Sequence, residues 1–195
     1  MALLARRLRA AGHKPSAFGY LVTRDPLDKI AERFIAHVEQ TRRDDDDQGF
    51  AVIGHSLGNV ITRMALPALP ALSRFIMLAP PNRPPVMAVA LAGNPVFRAL
   101  TRDAGNKLVD DEFFARLPMP SAPTLIVAGT RGPKARWSPL AGRVSDGVLG
   151  VDETRLDGVP NIEVPALHTF IMNDAEVARL TLQFLERGAI GERTP

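Results

Sequence analysis

The residues best suited to chemistry in this chain lie in the segment 54–58, which reads GHSLG. A serine hydroxyl is a poor nucleophile, so it must be held exposed beside a base. A sharp, glycine-flanked turn between a buried strand and a helix does this. The segment follows the apolar run 50–53 and precedes the helix-like stretch 59–65. We therefore predict that Ser56 is a nucleophile with a strained backbone, and that Gly54 and Gly58 allow close approach of strand, turn and helix.

A serine nucleophile needs a base within hydrogen-bond reach and an acid that fixes the tautomer of that base. Of the four histidines, His13 and His37 lie upstream of the serine on predicted helix or turn surfaces. His55 is adjacent to the serine, and its side chain should point away from it. His168 lies in the loop VPALHTF after the last strand-like segment, where an α/β sheet presents catalytic groups. We assign the base to His168.

The acid is expected between the serine and His168 along the chain. We choose Asp146, because the turn in SDGV at 145–148 can aim a carboxylate back at the edge of the sheet. Two alternatives remain open. Asp152 is more typical of a helix start, and Asp157 of a turn before the last strand.

The elements that must position these residues alternate along the chain. Nearly continuous apolar runs are typical of strands buried on both faces of a parallel sheet, and helical segments separate them. These runs lie at 50–55, 74–79 and 124–130. Residues 161–164 predict a short last strand, at an edge because Pro165 follows. Residues 16–22 predict an additional early strand. The pattern indicates an α/β fold with a mostly parallel sheet and helices on both faces.

Three helices are predicted from apolar periodicity and end signals. The first places Leu4, Leu8 and Ala11 on one face and ends at Gly12. The second begins with Asp25 as N-cap and Pro26 at the first position. Its apolar face comprises Leu27, Ile30, Ala31, Phe34, Ile35 and Val38. The last begins with a capping box at 173–176, buries Val177, Leu180 and Phe184, and ends at Gly188.

The proline-rich segment after the second core strand interrupts this alternation. Residues 81–120 also contain scattered apolar side chains, so the segment suits a cap or a pocket wall, although a plain crossover helix with proline-rich ends explains it equally well. We assign substrate binding to His55, Pro81, Phe97 and Phe113. The four aspartates at 44–47 favour a solvated loop over a cation site, because adjacent carboxylates repel one another.

Length and composition limit the number of domains and the classes of function that the chain could have. The 195 residues suit one domain, 1–195, and no apolar stretch is long enough to cross a bilayer. The net charge is only +3 with scattered arginines, which disfavours nucleic-acid binding. Without cysteine the chain has no disulfide and no thiol nucleophile. No ligand spacing suggests a metal, and no secretory signal is visible; we expect no cofactor and a cytoplasmic location.

Together these motifs resemble the α/β-hydrolase fold, and in particular small bacterial lipases and esterases. The matching segments are GHSLGN at 54–59, LAPPN at 78–82, SDGV at 145–148 and ALHT at 166–169. The resemblance implies acyl transfer on a small-molecule ester or lipid. Ser56 would attack the ester carbonyl, His168 would take and return the proton, Asp146 would orient His168, and water would resolve an acyl-enzyme. An acyltransferase with the same triad is the second interpretation.

One element of the family is not found in the sequence. Such proteins usually have a strand ending in a His-Gly loop whose backbone N–H helps to bind the oxyanion, and here the chain starts at the helix that follows it. Only the N–H of Leu57 can be assigned to that role. In the usual topology the strand lies between 16–22 and the strand before Ser56, so its loss predicts a central gap in the sheet. We therefore expect that Met1 is an internal methionine or that the chain is a fragment, and a catalytically silent binding fold is a third interpretation.

Overall fold

The computed structural model describes residues 1–43 and 49–189. Within that part the strands are β1 (Ala51–His55), β2 (Arg74–Leu78), β3 (Thr124–Gly129) and β4 (Asn161–Val164). The helices are α1 (Ala2–Ala10), α2 (Leu27–Arg43), α3 (Leu57–Ala65), α4 (Val86–Leu91), α5 (Pro95–Leu108), α6 (Asp111–Arg116) and α7 (Ala175–Arg187). Short 3-10 helices cover Leu66–Ala68, Val151–Thr154 and His168–Asn173. The predicted aspartate loop at 44–47 lies outside the described residues.

The four strands form one parallel sheet in the order β1-β2-β3-β4. This confirms the predicted fold class and the position of β4 at an edge. Since parallel strands place their carboxyl ends along one side of the sheet, the segments that follow β1, β3 and β4 can converge there. Those segments hold Ser56, Asp146 and His168.

The predicted strand at 16–22 is wrong, because these residues are not part of the hydrogen-bonded sheet. A strand is stabilised by a hydrogen-bonded neighbour, and within the described residues β1 pairs with β2 on one side only. The segment instead packs side chains against α2, with the rings of Phe18 and Phe34 5.3 Å apart. The described sheet is therefore continuous, with β1 at its edge, and has no central gap.

Helices cover both faces of the sheet, and alternate strand residues point to opposite sides. Leu4 and Leu8 of α1 pack with α7 against Ile76 and Leu78. On the other face, α2 and α3 pack against Phe75, Met77 and Ile126. The predicted inward faces of α1, α2 and α7 are confirmed, apart from Ala11, which is exposed beyond the end of α1, and Ile35, which is only partly buried. Each large side chain that is fully buried here contributes about 1.5–3 kcal/mol.

The N-terminal caps of α2 and α7 differ from the predicted ones. In α2 the N–H of Leu27 is bound by the carboxylate of Asp103 from α5, at 2.8 Å, whereas Asp25 pairs with Arg33. In α7 the N-cap is Asp174, whose carboxylate accepts two backbone N–H groups, and not the preceding asparagine. Gly188 ends α7 as predicted. A carboxylate brought in by tertiary structure can replace a local cap, because the N-terminal N–H groups can donate to any nearby oxygen.

The segment 81–120 folds into α4, α5 and α6 and is not one crossover helix. Asn94 caps α5 and Asp110 caps α6, each with its side-chain oxygen accepting two backbone N–H groups. Helix α5 is kinked at Arg102, where φ is 47°. Three short helices thus occupy the connection between β2 and β3.

Candidate active site

Ser56 occupies the sharp turn between β1 and α3. Its φ of 51° and ψ of −126° place it in a strained region, as predicted. The N–H of Ser56 donates to the carbonyl of Leu78 at 2.9 Å. The side chain of Asn59, fully buried on α3, donates to the carbonyls of Ser56 and Leu78, both at 3.1 Å. These bonds compensate for backbone strain of about 1–3 kcal/mol.

The two glycines of the turn have different roles. A methyl group on Gly54 would overlap the side-chain amide of Asn59, so only glycine lets Asn59 reach the turn. A methyl group on Gly58 would meet the hydroxyl oxygen of Tyr20 at 3.7 Å, which is an ordinary contact. The predicted need for close approach is confirmed at Gly54 and is wrong at Gly58 within the described residues.

His168 reaches Ser56 from the segment after β4. It begins the 3-10 helix His168–Asn173 and is 8% exposed. Its Nε2 lies 2.9 Å from Ser56 Oγ, and its Nδ1 lies 2.7 Å from Asp146 Oδ2. The pairing of Nδ1 with a carboxylate assigns the proton to Nδ1 and leaves Nε2 free to accept from the serine hydroxyl.

Asp146 is held in the turn after β3 and is 2% exposed. While Oδ2 meets His168, Oδ1 accepts the N–H groups of Val148 and Leu149 at 2.9 and 2.8 Å. Both carboxylate oxygens are therefore engaged, and the orientation of the group is fixed by backbone donors. Of the two alternative acids, Asp152 is exposed and pairs with Arg143, and Asp157 is exposed in a turn. The structure brings Asp146 to the histidine and leaves Asp152 and Asp157 apart from it.

A glycine at the end of β3 permits this approach, and sequence reasoning missed it. A Cβ on Gly129 would lie 2.6 Å from the Ala166 carbonyl oxygen and 2.8 Å from the Asp146 Cβ. Both distances are too short for a real methyl group, so the loops that hold Asp146 and His168 can close over β3 only if this residue is glycine. The available signal was a glycine ending an apolar run, which often marks close backbone approach.

The four residues assigned to substrate binding fall into two groups. His55 turns toward the histidine loop: its Nε2 lies 3.0 Å from the carbonyl oxygen of His168, and the two rings are 5.1 Å apart. The others belong to the segment 81–120. Pro81 is buried, whereas Phe97 and Phe113 are half-buried, the latter packing on Phe114 at 5.6 Å. A role of these four in binding substrate stays a prediction.

Electrostatics set the state of the groups around the serine. Burial, followed by the proximity of His168, lowers the pKa of His55 to about 4. His55 is thus neutral near pH 7 and can donate from Nε2 to the His168 carbonyl. The N–H of Leu57 opens α3, and the first amides of a helix have no partner within it and carry a positive partial charge. An anion bound beside Ser56 would therefore lie at the positive N-terminal end of α3.

Arg63, in the last turn of α3, was not identified from the sequence. It is 2% exposed, and burial lowers its pKa to about 10. Its guanidinium donates to the carbonyls of Pro118 and Leu117 at 3.0 and 2.7 Å and to Asn82 Oδ1 at 3.2 Å. Asn82 precedes α4 and Leu117 follows α6, so Arg63 ties both ends of the segment 81–120 to the helix that follows Ser56. An arginine in a helix usually faces solvent, so nothing in the sequence around Arg63 indicated that it would be buried.

Within the described residues, no group of three or more histidine, aspartate or glutamate side chains is arranged to hold a metal ion. The same residues include no helix that is both long and apolar enough to span a bilayer.

Several solved structures share this fold at low sequence identity. The mature lipase BlEst2 of Bacillus licheniformis superposes with a TM-score of 0.63 at 16% identity, covering 85% of this chain and 76% of the lipase. An esterase of Pyrococcus furiosus gives 0.53 at 16% identity, covering 82% and 62%. Phospholipase PlaB of Legionella pneumophila gives 0.61 at 19% identity, covering 79% of this chain but only 40% of the phospholipase. At such identities the likeness shows the fold alone.

No curated protein sequence matches the chain. The sequence profile of the alpha/beta hydrolase family, in contrast, matches residues 2–194. That match spans nearly the whole chain and agrees with the parallel sheet and the strained serine between β1 and α3. The protein therefore belongs to the alpha/beta hydrolase family.

Proposed function

We propose that this protein hydrolyses carboxylic esters through Ser56, His168 and Asp146. The observation that supports this most strongly is the unbroken chain of two hydrogen bonds, 2.9 Å from Ser56 Oγ to His168 Nε2 and 2.7 Å from His168 Nδ1 to Asp146 Oδ2. A nucleophile, a base and a buried acid in this order are the groups that acyl transfer requires.

The geometry suggests the following sequence of steps. As Ser56 Oγ bonds to the ester carbonyl carbon, its proton moves to His168 Nε2, and Asp146 stabilises the imidazolium. The tetrahedral intermediate then expels the alcohol, which takes the proton from Nε2, and an acyl-enzyme remains. A water molecule gives a proton to the same nitrogen, its oxygen attacks the acyl carbon, and Ser56 leaves with the proton restored.

The N–H of Leu57 is the proposed donor to the oxyanion. It is the residue after the nucleophile, at the positive end of α3. Removing one such donor costs about 10²–10³-fold in rate in other serine hydrolases. We therefore expect the Leu57 N–H to contribute to the rate as much as a catalytic side chain does.

The segment 81–120 is proposed to form the cap or wall that receives the acyl chain. It presents exposed apolar side chains on α4 and α5, among them Val89, Val96 and Leu100. An exposed apolar surface of this kind suits an apolar acyl group better than a charged one. We therefore propose a lipid-like or medium-chain ester substrate, with the chain 1–195 acting as one domain.

The test replaces Ser56 with alanine and measures hydrolysis of p-nitrophenyl butyrate. Loss of about 10³-fold or more in kcat is expected, because the nucleophile is removed. Ser121→Ala, at an exposed loop position, is the matched control and should keep full activity. Equal turnover by wild type and Ser56→Ala would exclude Ser56 as the nucleophile.

A fluorophosphonate probe separates an enzyme from a silent binding fold. Wild-type protein should form a covalent adduct that maps to Ser56. Failure of folded wild-type protein to react with either the probe or the ester would overturn the proposal. Adding an alcohol acceptor to the ester assay then separates hydrolysis from acyl transfer, since a transferase would form the new ester in preference to the acid.

A further inference from the structure

His55 makes one contact that neither the proposed chemistry nor its predicted binding role accounts for. Its Nε2 lies 3.0 Å from the backbone carbonyl oxygen of His168, a residue 113 positions away. We infer that His55 is a positioning residue: its N–H fixes the backbone of His168 and so sets the reach of the base to Ser56. The inference rests on the proposed function for its kinetic readouts.

The topology shows why the base needs such a support. Ser56 follows β1 and His168 follows β4, and these are the two outer strands of the described sheet. With neighbouring strands about 4.8 Å apart, the loop after β4 must cross about 14 Å to reach the serine. A backbone that leaves the sheet over such a span has freedom at its far end unless something on the β1 side holds it.

The contacts of His168 divide between two anchors. Its N–H donates to the carbonyl of Asp146 at 3.0 Å, and this bond attaches the backbone of His168 to the turn that follows β3. Its carbonyl accepts from His55, which is the last residue of β1 and therefore part of the sheet. Without His55, the backbone of His168 would keep its attachment to the turn of Asp146 and lose its attachment to the strand that ends at the serine.

The chemistry of His55 fits this role. A carbonyl oxygen can only accept a hydrogen bond, so its contact with His55 Nε2 requires a proton on that nitrogen. The His168 carbonyl therefore assigns the Nε2-protonated tautomer to His55. The pKa of about 4, caused first by burial, keeps the ring neutral, so it adds no cation beside the imidazolium that forms on His168. The 5.1 Å separation of the rings leaves His55 packed on the base it supports.

Two kinetic parameters separate positioning from substrate binding. In His55→Phe the ring is kept and the donor is lost; we expect kcat for p-nitrophenyl butyrate to fall about tenfold with KM within about twofold, since small displacements of a base are costly. His55→Gln, whose amide nitrogen can donate to the same carbonyl, should recover most of kcat. A rise in KM at unchanged kcat, or an unchanged kcat in His55→Phe, would overturn the inference.

Matched variants guard against a purely structural effect. His37 also has its Nε2 3.0 Å from an oxygen, that of Ser16, on the exposed side of α2, and His37→Phe should leave both parameters unchanged. Should His55→Phe fail to fold, His55→Asn replaces it, because the shorter amide cannot reach the carbonyl. Equal kcat values for the asparagine and glutamine variants would then contradict the inference.

A measurement that does not depend on ester hydrolysis can test the positioning role of His55 separately from the proposed function. The proton in the hydrogen bond between His168 Nδ1 and Asp146 should give a low-field NMR signal that reports the position of the ring. We expect the signal to shift or broaden in His55→Phe and to return in His55→Gln. An unchanged signal in His55→Phe overturns the positioning role even if the protein hydrolyses no ester, whereas absence of probe labelling in wild type overturns only the function.

Discussion

Two regions of this protein are stabilised in opposite ways. In the Ser56 cluster, consisting of Ser56, Asp146 and His168, the aspartate and the histidine are buried and the serine is partly exposed. Nearly every polar side-chain atom of the cluster is hydrogen-bonded. The segment 81–120 consists of three short helices with apolar residues turned outward, among them Val96 at 65% and Leu100 at 58% exposure. Under the proposed function, the ends of the strands would fix the reaction chemistry, and the segment 81–120 would set the choice of substrate.

Arg63 connects the two regions. It lies on the helix that starts after Ser56 and donates to both ends of the segment 81–120. The guanidinium is buried against three neutral acceptors and forms no ion pair within the described residues, so hydrogen bonds offset its charge there. If the two regions have these separate roles, variants within the Ser56 cluster should change kcat and variants in the segment 81–120 should change KM. Variants of Arg63 should then affect stability and KM together.

The largest effect is expected from Asp146→Asn. The amide keeps the shape but no longer stabilises the imidazolium or favours the correct tautomer of His168, and in a serine protease the equivalent change lowers kcat by about 10⁴-fold. We expect a fall of about 10³–10⁴-fold here, measured with p-nitrophenyl butyrate. Asp157→Asn and Asp152→Asn are the controls, and either one losing activity to the same extent would reassign the acid.

An intermediate effect is expected from Arg63→Met. The variant removes a buried charge but leaves three acceptors without their donor, so we expect a net destabilisation of about 1–3 kcal/mol. Urea unfolding measures this, and limited trypsin digestion should cut more readily within 81–120. Arg98→Met, at an exposed position on α5, is the control. Unchanged stability together with unchanged digestion would show that Arg63 does not hold the segment.

The smallest effect is expected from Val96→Ser combined with Leu100→Ser. Both side chains are exposed, so stability should stay within about 0.5 kcal/mol of wild type. The KM for p-nitrophenyl octanoate should rise about three- to tenfold, while values for the acetate ester stay unchanged, because only a long acyl chain needs the apolar surface. Val144→Ser removes an equally exposed apolar side chain outside the segment. An equal rise for the acetate and octanoate esters would argue against the proposed pocket wall.

The sequence predicted much of the architecture because its signals are local. Apolar runs marked β1, β2 and β3, and periodic side chains marked the buried faces of α2 and α7. The strand at 16–22 was predicted from the same kind of signal and failed, since strand formation also needs a hydrogen-bonded neighbour. The predicted N-cap of α2 failed for a related reason: Asp103, far along the chain, binds the N-terminus of that helix.

Of the site, the sequence by itself determined the strained serine and the chain order of serine, acid and histidine, because a glycine turn, an apolar run and an aspartate turn are features of a few adjacent residues. The tertiary structure alone decided that Asp146 and not Asp152 meets His168, and that His55 faces the backbone of His168. These contacts join residues 22 and 113 positions apart. Their distances depend on how each loop crosses the carboxyl edge of the sheet, which the packing of the whole chain sets.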